Sequence, residues 1–261
     1  MQELELLLVK GRQAMENNEF GQAVRAFRQA LKGHPENVEC LQLLGEALAE
    51  DGKLSEAITA LEKAAELDST DLDTLYTLGD VLFESRQPDK AILTYQRILE
   101  LDSEEAEALV SMGLVFYSQD RMDEAEACYR KALKLEPDSV FALNSMGDVA
   151  YASGREQEAI DLYRQVIALE PEDPQGHYNL AEVYYDTGEL AAAEKACREA
   201  LRLDPKFAFA YLTLGNLCLD EEEPEEAIKQ FQEFLRLEQS ADAEDIRNEV
   251  KAVIAGLKDE L

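Results

Sequence analysis

Few residues in this sequence have the chemistry to catalyse a reaction, and none is spaced for it. There are two histidines, His34 and His177. His34 precedes Pro35 in a stretch that reads as a turn. Neither histidine has a nucleophile or carboxylate at the spacing of a catalytic pair. The four cysteines, Cys40, Cys128, Cys197 and Cys218, form no C-x-x-C pair. That spacing argues against a zinc site or redox couple and for free thiols in a reducing compartment. Asp68, Asp71 and Asp73 look like the opening of a calcium loop, but the glycine and closing glutamate of such a loop are missing. No glycine-rich phosphate loop occurs. The sequence is therefore expected to hold no catalytic residue, no metal and no cofactor, and not to be an enzyme.

Charge narrows the partners. Asp and Glu number 56 against 25 Lys and Arg, for a net charge of −31. Such an anion repels phosphate backbones and acidic lipid surfaces, so nucleic acid and membrane are not expected as partners. A basic protein or peptide segment fits better. Apolar residues at 46% and charged residues at 31% give a globular balance. The opening MQELELLLVKGR lacks a basic n-region and a long apolar run, and no segment is apolar enough to span a bilayer. A cytoplasmic location is expected.

The elements that would position any site come from a period of 34 residues. Alanines stand at 23, 57, 91, 125, 159, 193 and 227, each 34 from the last. A second series at the same interval is Gly11, Gly45, Gly79, Gly113, Gly147, Ala181 and Gly215. Four residues after each alanine comes Phe27, Leu61, Tyr95, Tyr129, Tyr163, Cys197 or Phe231. Pro35, Pro137, Pro171 and Pro205 close several units. Each unit reads as two helices. Leu109, Met112, Gly113 and Phe116 share one face, and Ala125, Tyr129 and Ala132 share the next. The small residues let the paired helices approach closely, and the large ones fill the space beside that contact. Asn37, Asp71, Ser139 and Asp173 are expected to cap first helices, and Ser55, Asp89 and Asp123 to cap second helices.

These phases resemble the tetratricopeptide repeat family. The resemblance implies an all-α fold, a right-handed superhelix of antiparallel helix pairs. Seven repeats are expected at 4–37, 38–71, 72–105, 106–139, 140–173, 174–207 and 208–241, as a single array over 1–261. The tail, 242–261, carries Ile246, Val250, Val253, Ile254 and Leu257 on one stripe and reads as a capping helix. No cap precedes repeat 1, so Leu4, Leu6 and Leu7 are expected to be partly bare.

In this family the first helix of each repeat lines the concave groove, through positions 2, 5, 9, 12 and 13 of the repeat. The resemblance places there Glu46, Tyr76, Asp80, Phe83, Glu84, Tyr117, Asn144, Asp148, Tyr151, Tyr178, Glu182, Tyr185 and Asn216. Phe83, Tyr117, Tyr151 and Tyr185 form a ladder, which either packs on the neighbouring repeat or also meets a ligand. Repeats 1 to 3 supply acid at eight of nine polar groove positions, repeats 5 to 7 at four of nine. The carboxylate clamp of co-chaperone relatives is not matched, because Leu8, Arg12, Gln42, Glu46, Tyr76 and Asp80 include one cation among carboxylates. The expected function is a non-enzymatic scaffold holding a basic and apolar peptide or protein segment. The alternative is a self-assembling structural protein that uses the exposed face of repeat 1. A monomer or weak self-association is expected, and a monomer that does not change with dilution would remove the alternative.

Overall fold

The computed structural model describes residues 2–261, with the backbone alone for Glu260; Met1 lies outside the described residues. Every regular element among them is a helix. The first unit ends at Pro137. It pairs α1 (Gln2–Glu16) with α2 (Phe20–Gly33), α3 (Val38–Glu50) with α4 (Leu54–Leu67), α5 (Leu72–Glu84) with α6 (Pro88–Leu101), and α7 (Ala106–Ser118) with α8 (Met122–Leu135). The second unit begins at Asp138. It pairs α9 (Val140–Ala152) with α10 (Glu156–Leu169), α11 (Pro174–Asp186) with α12 (Leu190–Leu203), and α13 (Ala208–Asp220) with α14 (Pro224–Leu237). The last helix, α15 (Glu244–Glu260), packs on α14. Each pair is one sequence repeat.

The same turn joins the two helices of every repeat. Its left-handed residue is Asn18, Gly52, Arg86, Asp120, Gly154, Gly188 or Glu222, with φ between 57° and 77°. The next backbone N–H reaches back to the carbonyl five residues earlier, as in Glu19 to Ala14 and Lys53 to Leu48, both at 2.8 Å. This closes the first helix by satisfying one of its orphan carbonyls.

The close approach of the helices explains the two periodic series. All seven alanines are fully buried. Opposite them, a Cβ placed on Gly147 would lie 2.5 Å from Cε1 of Tyr163, and one on Gly45 would lie 2.4 Å from Cγ of Leu61. The repeat built on Ala181 compensates with Cys197, a smaller side chain where its neighbours have Tyr or Phe. Volume, more than residue identity, is what the contact requires.

The caps divide. Asn37 accepts from Cys40 N at 2.7 Å, Asp173 from Gln175 N at 3.2 Å, and Ser139 from Ala142 N at 3.5 Å. Asp71 occupies the cap position but accepts the Thr74 hydroxyl at 2.5 Å instead. Ser55, Asp89 and Asp123 are not caps. The cap positions are held by Lys53, Gln87 and Arg121, and the expected residues sit in the first turn. There the two aspartates still face the positive end of the helix dipole. Asp68 is occupied by turn chemistry, accepting the Thr70 N–H at 3.0 Å and its hydroxyl at 2.9 Å.

The outer helices differ. Val250 and Ile254 of α15 are buried against Ile228, Phe231 and Phe234 of α14, while Ile246 from the same stripe is 38% exposed. On α1, Leu6 and Val9 are 68% and 56% exposed, and Leu4 and Leu7 are half-buried. None of the described helices is long and apolar enough to cross a membrane.

Candidate functional site

Successive first helices touch one another directly: α1 with α3, α3 with α5, α5 with α7, and α11 with α13. No two second helices within a unit approach as closely. First helices therefore lie on the inner, tighter side of each unit, where a groove forms.

In the first unit this side carries the acidic positions. Glu46 is half-buried and accepts from the Gln42 amide at 3.2 Å. Its carboxyl pKa is raised, first by burial and then by the Asp73 charge, with Gln42 and Arg12 opposing. The Arg12 guanidinium is itself held by Glu39. Tyr76 is half-buried and gives its hydroxyl to Glu105 at 2.9 Å, in the loop that leads into the next repeat. Asp80 accepts the hydroxyl of Tyr95 at 2.6 Å. Tyr95 is the residue that fills the space opposite Gly79, so the packing contact also aims a carboxylate. Phe83 and Glu84 line an open cleft of about 450 Å³ with Arg86, Pro88, Ser118 and Gln119. Tyr117 is half-buried on α7.

The second unit repeats the device with more tyrosine. Asp148 accepts the Tyr163 hydroxyl at 2.7 Å, as Asp80 does from Tyr95. Tyr151 on α9 gives its hydroxyl to Asp186 on α11. On the next pair of first helices, burial raises the hydroxyl pKa of Tyr185 on α11 to about 12, and the neighbouring Asp220 on α13 adds to the rise. Both rings are half-buried. The Tyr151 hydroxyl thus ties one repeat to the next while its ring stays only half-buried. Glu182 accepts from Tyr178 at 2.8 Å. Burial raises the pKa of Asp148 and Glu182, and the charges of Asp186 and Asp148 add to the rise at Glu182. Asn144 accepts from Asn179 at 3.3 Å, and Asn179 in turn accepts from Gln175. Asn216 is half-buried on α13.

One groove expectation needs correction. Tyr178 does not widen the open surface. It is 8% exposed, with its ring 5.0 Å from that of Phe207 and 6.4 Å from that of Phe209. Phe207 and Phe209 bring enough apolar surface at the start of α13 to draw the ring inward, and only the hydroxyl reaches the groove. Conversely, Asp186 and Asp220 belong with the site. A tyrosine at position 12 followed, in the next repeat, by an acid at position 13 is the signal that finds them. A tyrosine at position 24 with an aspartate at position 9 finds the Tyr95–Asp80 and Tyr163–Asp148 pairs.

The thiols lie apart from this chemistry. Cys40, Cys128 and Cys197 are buried. Burial pushes their pKa values up to about 11, 11 and 12, far from a reactive thiolate.

Comparison with known proteins gives the same architecture. Residues 1–140 match the family described as the cytochrome c-type biogenesis protein H TPR domain, and residues 144–206 and 210–240 match tetratricopeptide repeat families. No curated protein matches the chain. Among solved structures, a tetratricopeptide repeat protein from Parabacteroides merdae ATCC 43184 is 21% identical, with a TM-score of 0.78 over 99% of this chain and 100% of that one. The MamA protein is 29% identical, with a TM-score of 0.58 over 66% of this chain and 93% of its own. YrrB, described as a TPR protein with an unusual peptide-binding site, is 21% identical, with a TM-score of 0.54 over 72% of this chain and 97% of its own.

Proposed function

Because this chain belongs to the tetratricopeptide repeat family, whose fold serves protein–protein interaction, we propose that it is a non-enzymatic scaffold that holds a basic and apolar segment of a partner protein on its first helices. The observation that carries this reading is the tyrosine–carboxylate arrangement of the second unit. Tyr151, Tyr163 and Tyr178 each give a hydroxyl to a groove carboxylate, and Asp220 stands near Tyr185. The donors are internal, so Asp148, Glu182 and Asp186 are held in place with negative charge left over for a cation. The open faces of Tyr151 and Tyr185 lie beside them. A Lys or Arg side chain fits this pairing twice, through its stem on the ring and its head on the carboxylate. A groove fixed before binding also loses little entropy when an extended segment enters.

The first unit supports the same reading with a different balance. Glu46, Asp80 and Glu84 supply charge, while Phe83 and Tyr117 are its two ladder aromatics. Peptide binding in YrrB offers a precedent within the fold. The test uses fluorescence anisotropy of the whole chain with length-matched synthetic peptides, one set alternating Lys or Arg with apolar residues and one set with Glu in place of the cations. The basic set should bind and the acidic set should not. Tyr151→Ala should lose about 2 kcal/mol with little change in salt dependence, as expected of a buried aromatic anchor. Asp186→Asn should flatten the salt dependence, since an exposed charge pair is screened. Equal binding of both peptide sets, or parental binding by both variants, would refute the assignment.

A further inference from the structure

Repeat 1 is electrostatically unlike the rest of the chain. Residues 2–34 hold five of the 25 Lys and Arg against four of the 56 acidic residues, and every other repeat has an acidic excess. Arg12 and Arg28 are paired with Glu39 and Glu56 of repeat 2. Lys10, Arg25 and Lys32 have no such pairing and are exposed. They surround apolar surface. Leu6 and Val9, one helical turn apart on the outer side of α1, are more than half exposed. Beside them a cleft of about 320 Å³ opens between α1 and α2, lined by Leu4, Leu7, Gln29, Lys32 and His34 among others. Within each unit, this side of every later first helix is covered by the preceding second helix, as α2 covers α3 and α10 covers α11. Here, among the described residues, nothing covers it.

The far end of the second unit has the opposite character. Repeat 7 carries eight acidic residues against Lys229 and Arg236. A cleft of about 400 Å³ there is lined by Glu223, Pro224, Glu225, Glu226, Lys229 and Leu261. Glu226 is occupied by Lys229, which leaves Glu223 and Glu225 exposed at the rim. Leu261, just past the end of α15, is 66% exposed and adds apolar surface at that rim.

We propose that the outer side of α1 and α2 docks the α14–α15 end of a second copy of this chain, head to tail. Apolar surface meets apolar surface, Leu6 and Val9 against Leu261 and the cleft beside it, while Lys10, Arg25 and Lys32 face Glu223 and Glu225. The pairing of two α1 faces would instead set the three cations against themselves. The two surfaces are different patches of one molecule, so the contact is heterologous and builds open chains or closed rings of copies. This contact is separate from the groove and stands whether or not the groove binds peptide.

The test is complementation in sedimentation velocity on the full chain. The parent should form species beyond the dimer as concentration rises from about 1 to 500 µM, the range of modest protein affinities. A head variant, Leu6→Glu with Val9→Glu, and a tail variant, Glu223→Lys with Glu225→Lys, should each associate at least about tenfold more weakly alone. Mixed in equal amounts they should recover a one-to-one dimer and nothing larger, because one intact head and one intact tail remain. The changed positions are exposed, and far-UV circular dichroism verifies that each variant keeps its helices. A charge-only variant, Lys10→Glu with Lys32→Glu, should also weaken association. The proposal is overturned by a parent that stays monomeric over the whole range, by a tail variant that dimerises alone, by a mixture that remains monomeric, or by a charge-only variant that associates like the parent.

Discussion

Replacing Gly147 by Ala separates two effects that oppose each other at this position. Ala is the better helix former, by about 1 kcal/mol. The added methyl, however, would stand 2.5 Å from Cε1 of Tyr163 and 2.9 Å from its Cζ. That ring cannot swing aside freely. Tyr163 is 2% exposed, and its hydroxyl is tied to Asp148 at 2.7 Å. Overpacking of this kind costs roughly 1–3 kcal/mol. A lost hydrogen bond to a charged acceptor would add roughly 1.5–3 kcal/mol. Packing and the lost hydrogen bond together outweigh the propensity gain, and Gly147→Ala should destabilise the chain by about 1.5–5 kcal/mol net. Gly256, in α15, has open space where its Cβ would go, so Gly256→Ala keeps the gain alone, roughly 0.5–1 kcal/mol. Urea denaturation followed by circular dichroism and tyrosine fluorescence measures both, and their difference isolates the packing term. The Ala181–Cys197 contact supplies a rescue. Adding Tyr163→Cys to Gly147→Ala should destabilise by less than the sum of the single changes. A midpoint for Gly147→Ala equal to or above that of the parent would refute the account of the helix contact.

Two further outcomes follow from the ends and the groove. Deleting 244–261 should uncover Ile228, Phe231 and Phe234 of α14 and cause aggregation, which light scattering at rising concentration would detect; a truncated chain that stays dispersed would show that α15 is not a cap. The raised carboxyls of Asp148 and Glu182 give a signed pH dependence. Burial disfavours their charged forms, so their contribution to stability is full below the unfolded pKa and is lost as pH rises through the raised folded value. Binding of a cationic peptide needs the charge and runs the other way. Affinity should fall as pH drops through a window above the ordinary carboxylate range, and titration calorimetry with Asp148→Asn/Glu182→Gln should show the upper part of that fall removed.

The periodicity made most of the fold legible. A small residue at position 8, Ala at position 20 and a large residue at position 24 are three statements about one contact, and the helix pairs could hardly form without them. The turn caps were less legible. Ser55, Asp89 and Asp123 have capping side chains, but the turn that precedes them satisfies its backbone through a left-handed residue and leaves the cap position to Lys53, Gln87 and Arg121. The groove was legible as a set of positions and less so as chemistry. Tyr178 looked like its position-5 neighbour Tyr76, yet Phe207 and Phe209 in the next repeat pull it inward. Asp186 gained meaning only once Tyr151 was seen to reach across to it, and Asp220 once it was seen near Tyr185. The free thiols had pointed to a reducing compartment. Burial alone accounts for Cys40, Cys128 and Cys197 as free thiols, so they carry no information on location.

The seven left-handed turns have a consequence for how the chain moves. At Gly52, Gly154 and Gly188 that backbone conformation is free of Cβ strain, whereas Arg86 and Glu222 hold it with full side chains, against a penalty of roughly 1–2 kcal/mol. The strain is relieved whenever the hairpin loosens, so it subtracts from the local opening energy of the repeats that contain it. The α5–α6 and α13–α14 hairpins thus lie lower on the scale of local opening than their sequence-alike neighbours. Hydrogen exchange at the turns beside the Phe83–Glu84 cleft and the Glu223 rim should therefore run faster than at the glycine turns.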